Sequence, residues 1–114
     1  MRILIVFILL QLSCVCKEKL NRTKNDVKEG CWIIPYPESK KINELIHYND
    51  GLKNGLYKKY YENGDIAIKG YYKRDKKNGK WIYYNSLGQI QKKIHFKMDS
   101  VLTTRIYTPA NPNW

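Results

Sequence analysis

The sequence predicts an all-β protein: a single antiparallel sheet of stacked β-hairpins with about seven strands. Three observations carry the prediction. Written in rows of 24, residues 31–102 fall into matching columns without a gap. Each row carries a turn signal, clearest at Asn63-Gly64 and Leu87-Gly88, where glycine accepts the positive φ of a tight turn. Between turns the apolar residues alternate, as at Ile66, Ile68, Gly70 and Tyr72, so one face of each strand is apolar. Helix should be nearly absent after residue 30.

The chain begins with a segment of another kind. Arg2 precedes an unbroken apolar run from Ile3 to Leu10, too short for a bilayer, which takes about 20 residues to cross. A charged start, a short apolar core and a small residue before a cut describe an export signal over residues 1–13. Ser13-Cys14 ends it, and here the sequence resembles a bacterial lipoprotein signal, whose cysteine takes a thioether-linked lipid and becomes the new N-terminus. The resemblance implies lipid on Cys14 and attachment to a membrane of a bacterial cell envelope. Cys16, preceded by Val15, is the less suited neighbour. With Cys14 acylated, Cys16 and Cys31 remain, as a disulfide or as free thiols. Residues 14–30 are too polar to fold alone and are expected as a lipidated N-terminus and flexible tether.

Three rows follow, 31–54, 55–78 and 79–102. Ile42, Ile66 and Ile90 share a column, as do Tyr36, Tyr60 and Tyr84, then Tyr48, Tyr72 and Phe96, then Ile33, Tyr57 and Trp81. In the first row Cys31 and Lys40 stand where later rows have glycine. Pro35 and Pro37 interrupt that row's first strand, which places it at a sheet edge because proline cannot donate to a ladder. In the second row Leu56 to Tyr61 and Ile66 to Tyr72 are the strands on either side of Asn63-Gly64. The third row repeats them. Thr103 to Thr108 aligns with Gly79 to Tyr84 and reads as a closing strand, with Pro109 and Pro112 in the tail 109–114 blocking extension. Two blocked edges predict a monomer.

At these residues the chain resembles the MORN-repeat variant of bacterial proteins. Gly55-Leu56-Tyr57, Tyr60-Tyr61 and Asn63-Gly64 carry the resemblance, as do Gly79-Lys80-Trp81, Tyr83-Tyr84 and Gly88. It implies a non-catalytic module that binds proteins or lipid surfaces. A related group, the YwqK-type antitoxins, implies an alternative: an immunity protein that neutralises a partner toxin by binding.

No residues form a catalytic, cofactor or metal constellation. His47 and His95 share a column two repeats apart, about 19 Å at ~4.8 Å per strand step. Zinc bonds of ~2 Å cannot span that gap. Gly79-Lys80 lacks the spacing of a phosphate loop. The acids Glu62, Asp65, Asp75 and Asp99 fall mostly in turns, where solvation is expected. The formal net charge of +11 suits an acidic partner, either an anionic membrane surface or an unidentified protein. Export argues against nucleic acid. The candidate binding surface is the basic set Lys73, Arg74, Lys76 and Lys77 between repeats. Beside it, Tyr57, Tyr60, Trp81 and Tyr84 serve as anchors or as sheet packing.

Overall fold

The computed structural model describes residues 19–107, and among them strands are the only regular structure. The expected signal segment 1–13, Cys14, Cys16, Thr108 and the tail 109–114 lie outside the described residues. In chain order the strands are β1 (Arg22–Lys24), β2 (Val27–Pro35), β3 (Ile42–Asn49), β4 (Leu52–Tyr60), β5 (Ile66–Lys73), β6 (Lys76–Lys77), β7 (Gly79–Tyr84), β8 (Ile90–Lys97) and β9 (Ser100–Ile106). They form one antiparallel sheet ordered β1-β2-β3-β4-β5-β7-β8-β9, with β6 also paired to β5. The path is a meander of stacked hairpins, as the repeat predicts. β6 and β7 together fill the place that β4 fills one repeat earlier.

Two kinds of connection alternate along the meander. At one end lie the two-residue turns Asn25-Asp26, Asp50-Gly51, Arg74-Asp75 and Met98-Asp99, with both residues at positive φ. That geometry matches the right-handed twist of the flanking strands. At the other end lie the longer loops. The Gly64 amide donates to the Tyr61 carbonyl at 2.9 Å, and the Gly88 amide to the Asn85 carbonyl at 3.0 Å. These are the turns expected at Asn63-Gly64 and Leu87-Gly88. The first loop uses Lys40 in the same place, at a φ of 62°.

The register departs from the ungapped alignment in the first half of the first repeat. Gly30 faces Tyr48 and Trp32 faces Ile46, as Gly55 faces Tyr72 and Tyr57 faces Gly70. Gly79 facing Phe96 and Trp81 facing Ile94 complete the pattern. The structural columns are therefore Gly30, Gly55, Gly79 and Trp32, Tyr57, Trp81; Cys31 and Ile33 are displaced by one. The cause is a first loop one residue longer. It closes by Tyr36 donating to the Lys41 carbonyl, whereas the second closes by Tyr61 donating to Asp65. A loop absorbs such an insertion without disturbing the ladder.

Two further expectations are corrected. Residues 22–30 are not tether: Arg22, Thr23 and Lys24 pair with Glu29, Lys28 and Val27. The tight Asn25-Asp26 turn and a hydrogen bond of 3.0 Å from Trp32 Nε1 to the Arg22 carbonyl hold this hairpin without a large apolar contribution. The strand carrying Pro35 is not an edge either, since β2 lies between β1 and β3. Pro35 sits at its end, beyond the reach of β1, which pairs only with Val27, Lys28 and Glu29. The far edge, β9, begins at Ser100 and not at Thr103. All seven of its residues are exposed and none is proline.

The core lies on one face. Ile46, Tyr57, Trp81 and Phe96 are buried there, packed by Ile34, Tyr48, Ile68, Tyr72, Tyr83 and Ile94. Trp81 is only 1% exposed, unusual for one sheet. Its indole stacks on Tyr57 at 5.4 Å and meets Tyr72 and Phe96 edge-on. It lies directly over Gly70, where a Cβ would stand 2.2 Å from the ring. Lysine side chains then close the ring stack from above. Lys28 Nζ lies 4.9 Å from the Trp32 ring, Lys53 Nζ 5.0 Å from Tyr72, and Lys77 Nζ 4.9 Å from Trp81. These lysines occupy one structural column, so each repeat contributes the same cation–π lid.

Candidate binding surface

The residues named from the sequence separate into two groups. Tyr57 and Trp81 are core, at 7% and 1% exposure, and cannot serve as surface anchors. The Tyr57 hydroxyl donates to Glu44 Oε2 at 3.1 Å. Burial, reinforced by the Glu44 charge, holds its phenol proton well above the ordinary range. Burial also raises the Tyr60, Tyr72 and Tyr83 phenols. Tyr60 and Tyr84 are half-buried, and their carbonyls tie repeats together. The Tyr36 hydroxyl donates to the Tyr60 carbonyl and the Tyr61 hydroxyl to the Tyr84 carbonyl, each at 2.6 Å. Lys77 is part of the lid over Trp81 and Phe96. Lys73, Arg74 and Lys76 are exposed at the hairpin end. There Lys73 and Arg74 border a depression of about 400 Å³ with Asn49, Asp50, Leu52 and Asn54.

Two acids expected to be solvated hold the repeats in register. Lys53 N donates to Asp75 Oδ1 at 2.6 Å while Asp75 N donates to the Lys53 carbonyl at 2.8 Å. Lys77 and Asp99 repeat the exchange at 2.7 and 2.8 Å. The turn residue between them is fixed as well. Arg74 N donates to Asn54 Oδ1 at 3.3 Å, and Met98 N to Asn78 Oδ1 at 3.2 Å.

The arrangement that sequence reasoning missed lies on the other face. Residues paired across an antiparallel ladder share a face, and neighbours along a strand alternate. Leu45 pairs with Lys58, Lys58 with Lys69, Lys69 with Ile82, Ile82 with Lys93 and Lys93 with Arg105. One row thus crosses six strands on the face opposite the aromatic core. In the next row Lys80 faces His95, and at the hairpin end Lys73 faces Lys76. Glu44 is the only acidic residue in β3 to β9, and it points to the core face, toward Tyr57. Towards β1 the character of this basic face changes. Cys31 and Leu45 are buried there, at 3% and 6% exposure, and Cys31 is disulfide-bonded. Reading the off-phase positions of each strand across the repeat would have exposed the row.

His47 and His95 lie on β3 and β8, four strand steps apart. His47 Nδ1 donates to the Leu56 carbonyl at 3.0 Å. Among the described residues no three His, Cys, Asp or Glu side chains cluster as metal ligands would.

Comparison with known families matches residues 53–74 and 77–98 to the MORN repeat variant. Each matched segment runs from one tight turn to the next. No curated protein and no solved structure matches the chain.

Proposed function

We propose that this chain, whose residues 53–74 and 77–98 are MORN-variant repeats, is a non-catalytic binding module held on a bacterial envelope membrane by lipid on Cys14. The basic face carries the binding part of the reading. The aromatic face is filled by its own side chains, whereas the opposite face presents a row of cations to whatever lies beyond it. The repeat family is a non-enzymatic module, and attachment to an anionic partner is the work such a surface can do. The exposed Lys73, Arg74 and Lys76 extend the same field at the hairpin end. The anchoring part is supported by the apolar run from Ile3 to Leu10 and by Ser13-Cys14.

In cells fed a palmitate analogue, Cys14→Ala should abolish labelling and release the protein from the membrane fraction. Labelling that survives Cys14→Ala but disappears in Cys16→Ala would move the lipid to Cys16. Labelling indifferent to both changes would overturn the anchor.

A further inference from the structure

We infer that the outer edge of β9 takes up an extended acidic segment of a partner protein as one more strand of the sheet; this rests on the anionic-partner reading above and names where that partner docks. The first observation is that the two edges of the sheet are finished differently. At the β1 edge the ladder continues past Arg22 through a single side chain. Asn21 Oδ1 accepts from the Ile33 amide at 2.7 Å, and Asn21 Nδ2 donates to the Ile33 carbonyl at 3.1 Å. The Asn21 amide donates to the Cys31 carbonyl at 2.9 Å. These are the bonds a neighbouring strand would make, and Pro35 ends β2 without a donor. At the other edge, β9 is seven residues long, exposed throughout and paired to β8 alone.

The second observation is the direction of the backbone groups. The Tyr107 amide donates inward, to the Gln91 carbonyl at 2.7 Å. Amides alternate in direction along a paired strand, so those of Ile106 and Thr104 point outward. They are placed to bond a strand lying ~4.8 Å farther out.

The third observation is the side-chain pattern such a strand would meet. Val101, Thr104 and Ile106 pair with Phe96, Ile94 and Lys92 and continue the core face. Val101 and Ile106 are 57% and 66% exposed there. Thr103 and Arg105 pair with His95 and Lys93 on the basic face. Lys93 and Arg105 are like charges directly opposite, a pairing that weakens the ladder. Glu44, the one acid of β3 to β9, lies on the core face and cannot answer them. A carboxylate one strand beyond Arg105 would. The strand that fits therefore alternates apolar residues with Asp or Glu, its backbone supplying affinity and its side chains specificity. Other occupants fit poorly. Residues 108–114 hold no acid and carry Pro109 and Pro112. A second copy would bring another Arg105 and a formal charge of +11 to the junction.

The test uses the full-length protein in a neutral detergent and three nine-residue probes. In one, valine alternates with glutamate; in another, valine alternates with lysine; the third has the residues of the glutamate probe in two blocks. Calorimetry reads affinity and amide exchange reads placement. The alternating glutamate probe should bind, less tightly as salt rises, and should slow exchange at Thr104 and Ile106 about tenfold. Arg105, whose amide points inward, should not change. Thr104→Pro removes an outward N–H and no ladder bond, so it should melt near the parent and lose the slowing at Ile106. Arg105→Glu leaves the backbone intact; it should weaken the glutamate probe about fivefold and favour the lysine probe. Binding of the glutamate probe without slowing at β9 would overturn the edge docking and leave the anionic-partner reading standing. Equal slowing by the lysine probe would overturn the acidic chemistry, and equal slowing by the blocked probe would overturn the strand register. Slowing that needs no probe and grows with protein concentration would point to a second copy instead. Failure of every probe to bind would remove the docking and the anionic-partner reading together.

Discussion

Gly70→Ala probes the centre of the fold. The backbone of Gly70 is not in the left-handed region, so the side chain is excluded by space alone. An added Cβ would stand 2.2, 2.3 and 2.7 Å from Cδ2, Cε2 and Cε3 of Trp81. The indole would have to retreat by more than an ångström to reach ordinary contact. It is held on three sides: stacked on Tyr57, edge-on to Tyr72 at 5.0 Å, and donating from Nε1 to the Tyr71 carbonyl at 3.0 Å. Overpacking of this kind costs about 1–3 kcal/mol. Loosening the hydrogen bond adds about 1 kcal/mol. Disturbing an aromatic pair adds about 0.5–1.5 kcal/mol. Alanine's better strand entropy offsets about 0.5–1 kcal/mol. The net loss should be about 3 kcal/mol, or roughly 12–24 °C in Tm for a fold of this size. A melt followed by aromatic circular dichroism and tryptophan fluorescence measures it. Gly64→Ala is the comparison, since nothing lies within 4 Å and its cost comes from a φ of 94°. A Gly70→Ala protein melting at or above the parent temperature would refute this packing of Trp81.

Three other outcomes are expected. Asp75→Ala and Asp99→Ala each remove a carboxylate that accepts a backbone N–H from the preceding repeat, at a cost of about 1–2 kcal/mol; hydrogen exchange should quicken at the Lys53 and Lys77 amides respectively, and unchanged exchange would contradict the assignment. Lys40→Gly relieves a left-handed residue where the other loops have Gly64 and Gly88, so it should stabilise by about 1 kcal/mol in a urea titration, and a loss would show that the lysine side chain is used. The buried Tyr57 phenol and the half-buried Tyr60, Tyr72 and Tyr83 phenols are raised above 10.0, chiefly by burial, so the folded state holds their protons more tightly than the unfolded chain. That contribution is complete below about pH 10 and is lost as pH rises through the folded values. Urea midpoints should fall above about pH 10 as tyrosinate absorbance grows, and a rise there would contradict the burial.

Much of this architecture was legible because its signals are local or strictly periodic. Gly64 and Gly88 mark turns by their own conformation, and Ile46, Tyr72 and Phe96 mark the core face by alternation. What escaped was carried by exceptions to glycine chemistry and by contacts across the sheet. Lys40 makes its turn without glycine, and the loop it closes is one residue longer, so Trp32 and Gly30 slipped out of their columns. Arg74-Asp75 and Met98-Asp99 form tight turns with no glycine at all, because Asp75 and Asp99 are fixed by exchanges with the neighbouring repeat. The hairpin at residues 22–30 has too little apolar surface to announce itself and depends on β3 beside it. The basic face was hidden for a geometric reason. Lys73 to Lys77 cluster along the chain and draw attention, whereas Lys58, Lys69 and Lys93 become neighbours only across strands.

The repeat register is the foundation of both faces, and cross-strand proton contacts in solution test it most directly. Contacts should join Trp32 to Ile46, Tyr57 to Gly70 and Trp81 to Ile94, with Lys58 beside Lys69 and Lys93 beside Arg105. A spectrum in which Ile33 faced Ile46, or in which Lys58 and Lys69 were not neighbours, would contradict the account.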